Sequence, residues 1–341
     1  MMLFSGGLKF IIYTSLLKDT NLGDEKKLSL PGADIPLLLS VPKAKEKGLI
    51  ITFTGFALAG YKDKRMAAVN NAFKKLGYRV ITPQIKEIDA LLINPQSIDQ
   101  IKEVINEIKN NPVLNPNQFM PAIFAPSFTA GIAALAIAEM PENSVSSLCM
   151  LGGFCNLEST IDFAISNNDT ADDYGMHILM KNFLKYSIGI NPELEKIFQT
   201  AIEDNGLNRQ IPELPKVIEQ SDLETQKIYK KLTTDGAYRK EMIKDSWNKI
   251  PDSDTWKNRL DLSLHASKLS CAVTIIHGKN DQVIPATESI LLNKLLIEKN
   301  KNVILELSGL LDHGNIQYGL SVFKEVANMV KAMNHFLGQI K

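Results

Sequence analysis

The chain of 341 residues has no surplus of either charge, few cysteines, few aromatics and no long apolar run. Lysine plus arginine number 38 and aspartate plus glutamate number 38, so the net charge is zero. Phosphate backbones are bound by a basic surplus, so nucleic acid is excluded as a main partner. Only three cysteines occur, Cys149, Cys155 and Cys271, with no spacing for a thiolate zinc site or a disulfide framework. An odd, scattered set suits a reducing compartment, and a cytoplasmic location is expected. The longest early apolar stretch, Phe10–Leu17, has eight residues. A membrane span needs about twenty, so no transmembrane segment is expected there. A signal peptide is also a poor match, because Lys9 is the sole early basic residue and no small-residue cleavage site follows. Secretion is the lesser alternative. The Ile, Tyr and Thr content of this stretch predicts a β-strand. His177, His265 and His335 lack metal-ligand spacing, and no phosphate-binding loop occurs, so neither metal nor cofactor is expected.

What the chain does have is length and alternation. A chain of this size buries most of its unfolded surface and needs no staples. Strand-like runs at Ile35–Val41, Gly48–Thr54, Tyr78–Thr82, Pro121–Ala125, Val145–Leu151, Ala272–His277 and Val303–Leu307 recur. Helix-like segments lie between them, at Tyr61–Leu76, Ile98–Ile108, Phe128–Met140 and Ala286–Glu298, with a last one at Gln317–Leu337. Near-continuous apolar strands alternating with helices predict an α/β fold, a mostly parallel sheet covered on both faces. The alternation stops once. From Asn156 to Leu264 the text is helical and polar, with 14 basic and 19 acidic residues. This predicts residues 1–155 and 265–341 as a core and 156–264 as an inserted helical cap. The acidic balance of the insertion is what a solvated helical surface carries.

The join between one short strand and the alanine-rich helix is Ala125-Pro126-Ser127-Phe128-Thr129-Ala130-Gly131. A serine on a tight strand-to-helix turn projects its hydroxyl above the sheet edge, at the positive end of the helix. Ala125 and Thr129 stand where G-x-S-x-G has glycines, so on the motif alone Ser127 serves equally as a helix N-cap. Two later features add weight to a nucleophile. Asp281 follows the strand Ala272–His277, and His313 follows the last strand in Leu310-Leu-Asp-His313-Gly-Asn315. A serine hydroxyl needs a histidine to take its proton and a carboxylate to orient that histidine. Asp312 is set aside as the acid, because adjacent side chains on an extended segment point apart. His277 is expected to be structural and Cys155 a plain loop thiol.

The order Ser127, Asp281, His313, each after a successive strand end, resembles that of the α/β-hydrolase fold, and the chain resembles a serine hydrolase of that superfamily, esterase- or lipase-like, with a helical cap. The resemblance covers roughly 35–153 and 267–337. It implies Ser127 as nucleophile, His313 as base and Asp281 as orienting acid. Thr52-Phe-Thr-Gly-Phe56 falls where the family has His-Gly before an oxyanion residue; Thr54 replaces the histidine and Gly55 is kept. By that match the backbone N–H groups of Phe56 and Phe128 form the oxyanion hole. The implied activity is hydrolysis of an ester, thioester or related acyl compound, a small-molecule substrate. An acyltransferase, or a non-catalytic binding protein on the same fold, is the alternative. In the insertion, Met176, Leu179, Met180, Phe183 and Leu184 make one apolar helical stripe. Met180 and Phe183 either roof the acyl pocket or pack the insertion onto the core.

Overall fold

A computed structural model of the chain describes residues 5–16, 19–30, 33–166, 173–251, 253–309 and 320–340. Eight strands form one sheet: β1 (Asp24–Leu30), β2 (Ala33–Ser40), β3 (Leu49–Thr52), β4 (Arg79–Pro83), β5 (Ala122–Pro126), β6 (Ser147–Leu151), β7 (Ala272–Gly278) and β8 (Val303–Ser308). Their order is β1-β2-β4-β3-β5-β6-β7-β8. β1 with β2 and β2 with β4 are antiparallel. Every pairing from β4 through β3 to β8 is parallel.

Alternate residues of the central strands go to opposite faces, as the pleat demands. Ile50, Val80, Phe124, Cys149 and Ile276 join one core cluster, while Ile51, Ile81, Ile123, Met150 and Ile275 join another. The first face is covered by α1 (Gly6–Leu16), α2 (Lys64–Leu76) and α16 (Leu320–Gly338). Helices α4 (Gln96–Asn110) and α5 (Phe128–Ala138) cover the second; the short α3 (Lys86–Asp89) precedes α4, and α15 (Ala286–Glu298) lies against β7 and β8. Every residue of α5 is buried, which its Ala, Gly and Ile composition allows.

Between β6 and β7 the described residues form helices and no strand. They are α6 (Leu157–Ser166), α7 (Asp173–Phe183), α8 (Lys185–Ile188), α9 (Pro192–Gly206), α10 (Leu214–Gln220), α11 (Leu223–Thr234), α12 (Gly236–Asn248), α13 (Ser253–Arg259) and α14 (Leu262–His265). The two ends of this helical layer meet at a neck. Asn156 Nδ2 donates to Asp261 Oδ2 at 2.9 Å, and the Ser263 N–H to the Cys155 carbonyl at 3.2 Å. Buried Glu288 on α15 accepts the N–H of Cys155 at 2.9 Å and of Asn156 at 2.6 Å.

Two features differ from the sequence expectation. Phe10–Leu17 was expected as a strand, yet Gly6–Leu16 is helical. Gly7 and Phe10 are buried while Lys9, Ile12 and Ser15 are exposed, a helical period. Phe10 stacks on Phe73 with ring centroids 4.7 Å apart. A side chain on Gly7 would begin 2.4 Å from the Val330 carbonyl, so glycine lets α1 lie directly on α16. Tertiary packing has overridden a local β preference. The other difference is β1, whose Asp24-Glu-Lys-Lys run carries no apolar signal because only Leu28 is buried. Charged side chains on an edge strand also discourage pairing with other chains. Among the described residues no helix is long and apolar enough to cross a membrane.

Candidate active site

β5 ends at Pro126 and α5 begins at Phe128, leaving one residue to make the turn. That residue, Ser127, has φ 55° and ψ −143°, a backbone region that side chains avoid. Holding it there costs about 1–3 kcal/mol. The turn is held by the Ser127 N–H donating to the Leu151 carbonyl at the end of β6, 2.7 Å away. The Ser127 carbonyl accepts the Ala130 N–H at 2.9 Å and starts the helix. Its side chain makes no capping hydrogen bond, so the N-cap alternative does not describe this serine. Ser127 as a whole is half-buried.

Close approach explains the residues around it. Ala125 and Thr129 are both fully buried, and the turn closes around Thr129, whose hydroxyl has no hydrogen-bond partner among the described residues. Gly55 lies beside the serine; a Cβ there would sit 3.3 Å from Ser127 Cβ. Gly131, one turn into α5, faces the Phe154 ring, which a Cβ would meet at 2.4 Å. Three rings line up from this point. Phe154 stacks on Phe128 at 5.1 Å, and Phe128 meets Phe56 at 4.5 Å with the rings tilted by 39°. Among the described residues no acceptor is paired with the N–H of Phe56 or of Phe128.

Asp281 sits on the loop after β7. Its Oδ1 accepts the N–H groups of Val283 at 2.9 Å and Ile284 at 3.0 Å. Its Oδ2 lies 3.7 Å from His277 Nε2 and 3.5 Å from where a side chain on Gly152 would begin. Gly152 has φ 65° and directly follows Leu151, the residue that holds the Ser127 N–H. The ends of β5, β6 and β7 thus bring Ser127 and Asp281 to one side of the sheet, the carboxyl ends of parallel strands. A cavity of about 530 Å³ opens beside Asp281, walled in part by Phe163, Pro285, Ala286 and Ile290.

His277 is fully buried. Its Nε2 lies 2.8 Å from the Ile284 carbonyl, which can only accept, so that nitrogen carries the hydrogen. Its Nδ1 meets the Ser289 hydroxyl at 2.6 Å. Both nitrogens hold the β7–α15 loop in place, a structural role. Cys155 is buried, and burial together with the carboxylates of Glu288 and Asp261 pushes its thiol pKa well up. It is an inert thiol, as are buried Cys149 and Cys271.

His313 and Asp312 lie outside the described residues. Met180 and Phe183 are fully buried inside the helical layer. Phe183 packs edge-on against Trp247 at 5.6 Å and Trp256 at 6.1 Å. One contact at the site carried no signal in the sequence. Tyr174 on α7 donates its hydroxyl to the Phe56 carbonyl at 3.2 Å, across 118 residues of chain.

No protein-family model and no curated protein matches the sequence. Solved structures do match in fold. An acylaminoacyl peptidase from Pyrococcus horikoshii superposes with a TM-score of 0.54 at 14% identity, over 97% of this chain and 43% of that one. A puromycin-hydrolysing peptidase of Mycobacterium tuberculosis gives 0.52 at 13% identity, covering 93% and 39%. The chain therefore spans about two fifths of the length of these peptidases. A thermophilic esterase from Thermogutta terrifontis is matched nearly end to end, 94% of this chain and 92% of that one, with a TM-score of 0.51 at 12% identity. With the sheet order, the left-handed serine turn and these likenesses together, the chain has the α/β-hydrolase fold.

Proposed function

We propose that the protein is a serine hydrolase that cleaves an ester, thioester or related acyl substrate through an acyl-enzyme on Ser127. The observation that carries this reading is the Ser127 backbone at φ 55°, with a side chain that caps nothing. A strained turn that releases a hydroxyl is worth its cost to a nucleophile and gives nothing to a helix cap.

In this reading Ser127 Oγ attacks the acyl carbonyl and its proton passes to His313. The negative charge formed on the carbonyl oxygen is received by the N–H groups of Phe56 and Phe128. His313 then gives the proton to the leaving group; water, deprotonated by His313, adds to the acyl carbon, and that proton returns to Ser127 Oγ as the acid leaves. Asp281 orients His313: its Oδ1 is anchored by two backbone N–H groups, which leaves Oδ2 for the imidazole. The chain is long enough for this. Ser308, whose carbonyl accepts the Lys279 N–H at 2.9 Å, is five residues before His313 and beside the Asp281 loop. Five residues span up to about 17 Å when extended. Helices α6–α14 act as the cap over the site, and no metal or organic cofactor takes part. The likeness to an esterase and to peptidases supports acyl chemistry.

The test is reaction with a fluorophosphonate probe, followed by peptide mapping and hydrolysis of p-nitrophenyl butyrate. The expected label is on Ser127, and Ser127→Ala abolishes both labelling and turnover while its circular dichroism matches the parent. A parent protein that takes no label, or a variant that keeps parental turnover, would refute the reading.

A further inference from the structure

We infer that Tyr174 is a positioning residue of the oxyanion hole: the helical layer, through this hydroxyl, sets where the Phe56 N–H points. The inference rests on the serine-hydrolase reading above and deepens it.

The N–H in question belongs to the Gly55–Phe56 peptide. Gly55 has no side chain with which to anchor that peptide, and a Cβ there would lie a close 3.3 Å from Ser127 Cβ. The peptide is therefore aimed from its far side, by whatever holds Phe56. Two contacts do so. The Phe56 ring lies on Phe128, 4.5 Å between centroids, and the Phe56 carbonyl accepts the Tyr174 hydroxyl at 3.2 Å. Beyond Phe56 the chain turns sharply, with the Gly60 N–H donating to the Ala57 carbonyl at 2.8 Å. That turn fixes Ala57–Gly60 but makes no bond to Phe56 itself.

Tyr174 is in turn held firmly. Gly206, the last residue of α9, is packed so tightly that a Cβ would begin 2.9 Å from both the Tyr174 ring and the Leu58 side chain. Ile178 of α7 and Ile202 of α9 form a small core with Leu91, against which Phe56, Leu58 and Tyr174 pack. Asn182 of α7 ties the same helix down by donating to the Leu91 carbonyl and accepting the Ile93 N–H, both at 2.9 Å. The hydroxyl thus reaches Phe56 from a fixed platform. A donor aimed by a rigid neighbour costs no reorganisation when charge develops on the substrate.

Tyr174→Phe removes the hydroxyl and keeps the ring. The assay is steady-state hydrolysis of p-nitrophenyl butyrate, with inhibition by a trifluoromethyl ketone, whose serine adduct bears the oxyanion. Losing an oxyanion donor outright costs 10²–10³ in kcat, so misaiming one is expected to cost about tenfold. The expected result is that fall in kcat with KM unchanged, and a Ki for the ketone raised by the same factor. Melting should move by no more than about 2 °C for loss of the part-buried hydrogen bond to Phe56 in a chain this long. Unchanged kcat and Ki would overturn the inference, and so would a loss confined to KM or to stability. Should Tyr174→Phe fail to fold, Gly206→Ala pushes on the same ring from behind, and it too must raise the ketone Ki. A parent protein inert to substrate and ketone alike would instead mark the failure of the serine-hydrolase reading.

Discussion

Replacing Gly131 by alanine sets two effects against each other, and the structure decides between them. In an ordinary helix interior the change is favourable by about 0.8–1.0 kcal/mol, because alanine has the better helix propensity. At this place the new methyl would lie 2.4, 2.6 and 2.7 Å from three atoms of the Phe154 ring. Comfortable contact is about 3.5–4.0 Å, so the ring must retreat by roughly 1 Å. Phe154 is fully buried and stacked on Phe128, so nothing open receives it. Overpacking of this kind costs about 1–3 kcal/mol, and a disturbed aromatic pair about 0.5–1.5 kcal/mol more. The net expectation is a destabilisation of about 1–3 kcal/mol. Guanidinium unfolding followed by far-ultraviolet circular dichroism measures it. A double-mutant cycle with Phe154→Ala sharpens the test. That change alone costs about 3–5 kcal/mol, and Gly131→Ala should then fill part of the hole, so the two fall short of additivity by about 1–3 kcal/mol. The Phe128 N–H starts the same helix, so kcat should fall in Gly131→Ala as well. A Gly131→Ala protein as stable as the parent, or strictly additive changes, would refute the reasoning.

Two further outcomes are expected. Asp281→Asn should lower kcat by several orders of magnitude through a misoriented histidine, while Asp312→Asn stays within a few-fold; the reverse ranking in steady-state kinetics would move the acid to Asp312. Phe183→Ala should lower stability by about 3–5 kcal/mol, since its ring is fully buried against Trp247 and Trp256. Relative kcat/KM across acetate, butyrate and octanoate esters should stay constant in that variant; a shifted chain-length preference would place Phe183 at the acyl pocket instead.

Most of the core sheet was legible because its strands are buried on both faces and so spell continuous apolar runs, as in Leu49–Thr52 and Ala272–Gly278. β1 was not, because an exposed edge strand is read from its partner rather than from itself. The N-terminal helix was misread because eight apolar residues fit either period, and the deciding contact, Gly7 on α16, is more than three hundred positions away. At the site, Ser127 and Asp281 could be found from their places after strands. What the sequence could not give is the serine's left-handed backbone, since Ala125 and Thr129 lack the glycine signature of such a turn. Tyr174 was invisible for a related reason: one tyrosine in a helix has no pattern until the fold carries it to Phe56.

The neck of the helical layer bears on how the chain folds. β6 and β7 pair in parallel, with Ser147 opposite Ala272, about 125 residues later in the chain. Closing a loop that long costs only about 2 kcal/mol more than closing one of a dozen residues, because the penalty grows with the logarithm of length. The Asn156–Asp261 and Cys155–Ser263 bonds, with Glu288 gripping the same turn, are of a size to offset that difference once formed. The closure part of the equilibrium stability is thus nearly indifferent to how much chain hangs from the neck. The rate is not, since the sheet must wait for its C-terminal strands to find β6 across that separation. Shortening the helical layer at its distal loops should quicken refolding far more than it changes the unfolding free energy.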